Sequence, residues 1–87
     1  MPVKYSKEFL KHYKKRVYPN KRLVKRFKER LATLSRNPKD PILKDHKLTG
    51  AKKHHRAFSV TGDLRVVYYY QEEWIVLVDI GTHNQVY

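Results

Sequence analysis

These 87 residues predict an α+β fold: a helical hairpin packed on a twisted antiparallel sheet of four to five strands. Two observations carry the prediction. Up to Leu34, apolar residues recur at three- and four-residue spacing. After Ile42 they fall in short runs rich in Val, Ile, Tyr and Phe, broken by turn residues. A chain this short buries one modest core, so helices and strands share a single domain over 1–87.

Pro2 to Tyr5 reads as a short edge strand, and Ser6 is a good N-cap with Glu8 where the helix dipole favours an acid. The first helix follows, from about Lys7 to Val17, with Phe9, Leu10, Tyr13 and Val17 as its apolar stripe. Tyr18-Pro19-Asn20 breaks it. Asn20 caps a second helix whose buried face is Leu23, Val24, Phe27, Leu31 and Leu34, and Asn37-Pro38 and Asp40-Pro41 turn the chain into a loop. The strands are read around Lys47 to Leu48, His54 to Val60, Leu64 to Gln71 and Trp74 to Ile80, separated by Gly50, Thr61-Gly62-Asp63 and Glu72-Glu73. Strict alternation puts Val66, Tyr68 and Tyr70 opposite Arg65, Val67 and Tyr69. It likewise puts Trp74, Val76, Val78 and Ile80 opposite Ile75, Leu77 and Asp79. One sheet face is expected to bury against the helices, and the other to stay partly open for a ligand.

Charge narrows the class of partner. Twenty Lys and Arg against eight Asp and Glu give +12. Residues 1–36 hold thirteen bases and two acids, whereas 57–87 hold one base, Arg65, and four acids. A positive field of this kind attracts polyanions, with nucleic acid first, and basic helices also suit acidic protein partners. With no cysteine, disulfides, thiolate metal sites and a cysteine nucleophile are excluded. No stretch has the apolar length of a signal core or a membrane span, so a soluble cytoplasmic protein without membrane contact is expected.

Four of the five histidines follow the helices: His46, the pair His54-His55, and His83. A histidine titrates near neutrality and can move a proton beside a phosphodiester. Adjacent His54 and His55 would face opposite ways on a strand, and no spacing suggests a metal site. Arg65 can clamp a phosphate or form a cross-strand pair with Asp79 or Glu73. Asp63 sits in a favoured Gly-Asp turn, and Tyr87 can stack on a base.

The ordered segments "DHKLTG", "HHRAFSVTGDLRVVYYY" and "VDIGTHNQVY", after a basic helical hairpin, resemble the RelE/ParE toxin superfamily and most closely its YafQ-type branch of messenger interferases. The resemblance covers the chain from the hairpin to Tyr87. It implies a RelE-like fold and a metal-independent, cofactor-free endoribonuclease that cuts messenger RNA in the ribosomal A site, restrained by an acidic antitoxin protein. By the same resemblance His46 or Asp63 is the general base, Arg65 with Arg56 the phosphate clamp, His83 the general acid and Tyr87 a stacking or orienting group. Lys52, Lys53, His54 and His55 join Arg56 as RNA-binding residues. The branch has histidine, tryptophan and arginine where this chain has Ser59, Leu64 and Asp79. Asp79 can then orient His83 or pair with Arg65. A catalytically impaired relative that only binds, or a gyrase-directed one, would share the fold.

Overall fold

The computed structural model describes all residues, Met1–Tyr87. Strand β1 (Val3–Tyr5) leads into helix α1 (Lys7–Arg16) and helix α2 (Lys21–Arg36). Strands β2 (His46–Lys47), β3 (Arg56–Ser59), β4 (Leu64–Gln71) and β5 (Trp74–Thr82) follow, and a one-turn helix α3 (His83–Val86) ends the chain. The sheet order is β1-β5-β4-β3-β2. From β2 to β5 the pairing is antiparallel, while β1 lies parallel to β5 and makes the five-stranded sheet mixed.

The caps sit where the residues demand them. Ser6 Oγ accepts from Phe9 N at 3.0 Å and donates to Val78 O at 2.8 Å, so one hydroxyl both starts α1 and ties it to β5. Asn20 Oδ1 accepts from Arg22 N and Leu23 N to open α2. Phe9 and Val17 enter the core from the first helical segment, Phe27 and Leu34 from the second. Leu10, expected on the first stripe, is 51% exposed. The loop after α2 is firmer than its prolines suggest: a 3₁₀ turn, Pro41–Leu43, is capped by Asp40 Oδ1 and plugs Leu43 into the core.

Alternation along the last strand fails at one residue. Val67 pairs with Asp79 but Tyr68 pairs with Leu77, so Val78 is an extra residue, a β-bulge. Side-chain parity flips there: Ile75, Leu77 and Ile80 all enter the helix-side core, and the strict two-face reading of 74–80 is corrected accordingly. The second face carries Ala57, Val67 and Val76, with α3 packed across β4 and β5 and its Val86 only 2% exposed.

A buried polar knot crosses the far edge. The Tyr68 hydroxyl donates to Asp45 Oδ2, and Arg56 Nε donates to Asp45 Oδ1 at 2.6 Å. Burial first, and then the Asp45 charge, hold the Tyr68 phenol far above its ordinary pKa of 10.0; burial raises Tyr13 as well. A proton gripped more tightly by the folded chain than by the unfolded one contributes fully below the unfolded pKa, and that stability drains as pH rises through the folded value. Stability is therefore expected to fall once pH passes about 10, where unfolded tyrosines ionise. Urea titrations on either side of that pH should show a shallower fall for Tyr68→Phe than for the parent.

Candidate active site

His46 opens β2, and its Nδ1 lies 3.1 Å from Lys44 O. A carbonyl only accepts, so Nδ1 carries the proton and Nε2 of the neutral ring is left as the basic atom. Across a gap stand the two ends of α3. Thr82 caps this turn reciprocally with Gln85, whose Oε1 accepts from Thr82 N at 2.8 Å. His83 therefore sits at the helix start, and Tyr87 N donates to His83 O at 3.0 Å to close the turn. The rings of His83 and Tyr87 meet edge-on at 4.5 Å, and those of His46 and Tyr87 at 6.2 Å.

These three rings line an open cleft of about 520 Å³ together with Lys47, Leu48, Thr49, Ala51 and Lys52. No carboxylate side chain lines it. Lys52 Nζ donates to Val86 O at 2.7 Å, tying the cleft wall to α3. Arg65, on β4, does not line the cleft but is near enough to the Tyr87 phenol for its charge to act there. Burial raises the phenol's pKa and the Arg65 charge opposes the rise. Its Nη1 donates to Ser59 Oγ at 3.2 Å, while Nε is buried without a partner. Such a cleft can hold a phosphate beside one imidazole that accepts a proton and another that donates one.

Other expected site residues fall elsewhere. Arg56 is not beside Arg65: it opposes Tyr68 in register, on the sheet face away from Arg65, and is bound to Asp45. Burial works against the Arg56 charge, the Asp45 bond more than offsets it, and the pKa is raised. His54 and His55 precede β3 instead of alternating along it, because His55 N bonds back to Lys52 O and its ring packs on Tyr69 at 5.3 Å. With Lys47, Lys53, Arg56 and Tyr70 they line a second basic cleft of about 330 Å³. Asp63 is exposed in the β3–β4 turn and does not line the first cleft. Asp79 pairs with neither Arg65 nor His83; it lies 2.5 Å from His12 Nδ1 and 3.8 Å from Arg16. Those two α1 partners, and the Ser59 contact to Arg65, had no signal in residue spacing.

Gly81 leaves room for the Arg16 and Gln85 side chains to reach over β5. A Cβ there would lie 2.7 Å from both Arg16 Nη1 and Gln85 Oε1. Each of these atoms already holds a backbone partner, Ile80 O and Thr82 N. Gly81→Ala is thus expected to lose one or two hydrogen bonds and about 1–2 kcal/mol. Urea unfolding should register the loss, and faster amide exchange at Tyr87 should show α3 loosening.

Residues 1–87 match the family described as "Bacterial toxin of type II toxin-antitoxin system, YafQ". The chain belongs to the YafQ toxin family. No curated protein matches it significantly. Among solved structures, a metal-bound toxin from Helicobacter pylori is 29% identical over 100% of this chain and 99% of that one, with a TM-score of 0.83. The toxin-antitoxin complex of E. coli DinJ and YafQ holds a chain 25% identical, covering 98% and 94% at a TM-score of 0.79. A YoeB/ParE toxin from Agrobacterium tumefaciens shares the fold at 16% identity, covering 95% and 99% with a TM-score of 0.80. In this YafQ-family chain no helix is long and apolar enough to cross a membrane.

Proposed function

We propose that this toxin is a ribosome-dependent endoribonuclease that cuts messenger RNA in the A site. The observation that carries the reading is the cleft, lined by no acidic side chain, in which His46, His83 and Tyr87 meet, with the Arg65 charge acting on the Tyr87 phenol from outside the lining. His46 Nε2 takes the proton of the RNA 2′-hydroxyl, whose oxygen then bonds to the adjacent phosphorus. Arg65 stabilises the charge gathered on the phosphate oxygens. The bond from phosphorus to the 5′-oxygen breaks as His83 delivers a proton to that oxygen, leaving a 2′,3′-cyclic phosphate and a 5′-hydroxyl. Tyr87 orients the base or sugar between the two imidazoles. Asp63, in the turn outside the cleft, is the weaker candidate for the base.

The charge of +12 supplies affinity for ribosomal RNA and steers docking. It also suits an acidic antitoxin, and the E. coli relative YafQ is held in a toxin-antitoxin complex with DinJ. The acid at Asp79 does not argue against phosphate binding, because its carboxylate is turned to His12 and Arg16 on the α1 side. The test is in vitro translation with the purified toxin, mapping messenger ends by primer extension with and without ribosomes. Codon-phased cuts that need ribosomes support the reading. Intact messenger with unimpeded translation would overturn it, and a supercoiling assay would then detect a gyrase-directed toxin.

A further inference from the structure

Three consecutive residues of β5 are held by side chains that belong to α1 or cap it. Ser6 Oγ donates to Val78 O at 2.8 Å, His12 Nδ1 meets Asp79 Oδ1 at 2.5 Å, and Arg16 Nη1 donates to Ile80 O at 2.8 Å. Arg16 also stands over Gly81, next to the Gln85 amide oxygen that caps α3. The residue after Thr82 is His83. The segment in question begins at the bulge, where β5 departs from regular pairing with β4. Past Val78 the strand resumes pairing, from Asp79 with Val67 to Thr82 with Leu64, so the bulge sets the bend at which this end leaves the rest of β5.

We infer that Arg16, braced by Asp79 and His12, is a positioning residue that sets where His83 and Tyr87 stand across the cleft from His46. Helix α1 does not depend on this polar row to stay on the sheet, since Phe9 and Val17 anchor it at 1% and 0% exposure. The row instead grips the strand end that carries the cleft. Glu8 Oε1 lies 3.2 Å from His12 Nε2, so both ring nitrogens of His12 face carboxylates and its orientation is fixed. Arg16, His12 and Asp79 side chains are 22%, 17% and 14% exposed, which shields the row from solvent screening. The effect on cleavage rests on the nuclease reading above; the effect on ring position does not.

The test uses Arg16→Ala, Arg16→Lys and Asp79→Asn, with exposed Lys11→Ala as the control on the same helix. Imidazole and phenol resonances of His83 and Tyr87 are recorded first, together with the methyl resonances of Leu77 in the core. Single-turnover cleavage and ribosome affinity are then measured. Arg16→Ala and Asp79→Asn should move the His83 and Tyr87 resonances while Leu77 holds, and Arg16→Lys should restore them in part. Cleavage should slow by roughly tenfold or more at unchanged ribosome affinity, the size expected from sub-ångström misplacement of reacting groups. Unmoved His83 and Tyr87 resonances in Arg16→Ala and Asp79→Asn would overturn the inference, as would a loss of affinity without loss of rate. If the parent itself does not cut RNA, the nuclease reading fails, and the resonances alone decide the positioning role.

Discussion

His83→Gln is expected to dock on ribosomes as the parent does and to cut messenger at least about a hundredfold more slowly, the usual contribution of a positioned acid or base. Glutamine keeps the size and polarity of the side chain and removes the titrating proton. His83 is exposed at the first position of α3 and makes no hydrogen bond to another side chain, so its loss does not weaken the core. The thermal midpoint should stay within a few degrees of the parent, about the change that follows from under 1 kcal/mol in a domain of this size. A primer-extension time course, run beside a ribosome co-sedimentation assay, separates chemistry from docking. Undiminished cutting by His83→Gln would remove the acid role and leave its place to Tyr87 or solvent.

Asp45→Ala is expected to lower stability strongly for a change outside the apolar core. Its carboxylate is 7% exposed and serves two partners at once, Arg56 Nε and the Tyr68 hydroxyl. Removing it strands a phenol in the core and a partly covered guanidinium. Breaking a fully buried pair costs about 3–5 kcal/mol, and because Arg56 remains 33% exposed the lower end applies, roughly 3 kcal/mol. At about 4–8 °C per kcal/mol the melting midpoint should drop by more than about 10 °C. Asp45→Asn keeps an acceptor for Tyr68 and should lose less. Equal midpoints for the two variants, read by calorimetry, would mean that the neutral acceptor kept in Asp45→Asn contributes nothing and that the loss is that of the charge. Because Asp45 precedes His46, the alanine variant should also loosen the β2 wall of the cleft.

Both helices and the long strands could be read from periodicity because each element carries its own signal: Asn20 before a clean apolar face, or β-branched and aromatic runs between turns. Pairings across long separations carry no such signal. His12 and Asp79 are 67 positions apart, so Asp79 could be matched on paper with Arg65 or His83 but not with its actual partner. The bulge at Val78 inverts side-chain parity without any glycine or proline to announce it. Asp45, placed in a loop, gave no hint that it would claim Arg56. One omission was avoidable: Thr82-His83-Asn84-Gln85 has the Thr-x-x-Gln form of a capping box, a legible start signal for α3 in what reads as a tail. The candidate site was readable as a set of residue types, His46, Arg65, His83 and Tyr87. Which of them share a cleft depended on β2 and α3, two elements of a few residues each.

The parallel edge strand has a bearing on when the protein becomes whole. The turns joining β3 to β4 and β4 to β5 are local and can close early, whereas Val3 finds its neighbour only at Ile75, and Ser6 its carbonyl 72 positions away. A nascent chain therefore carries β1 and the start of α1 without their seat until nearly all of the sequence has emerged. The row from Ser6 to Arg16 that grips the end of β5 forms at that same late moment. Synthesis thus leaves the cleft unassembled until β5 and α3 have emerged.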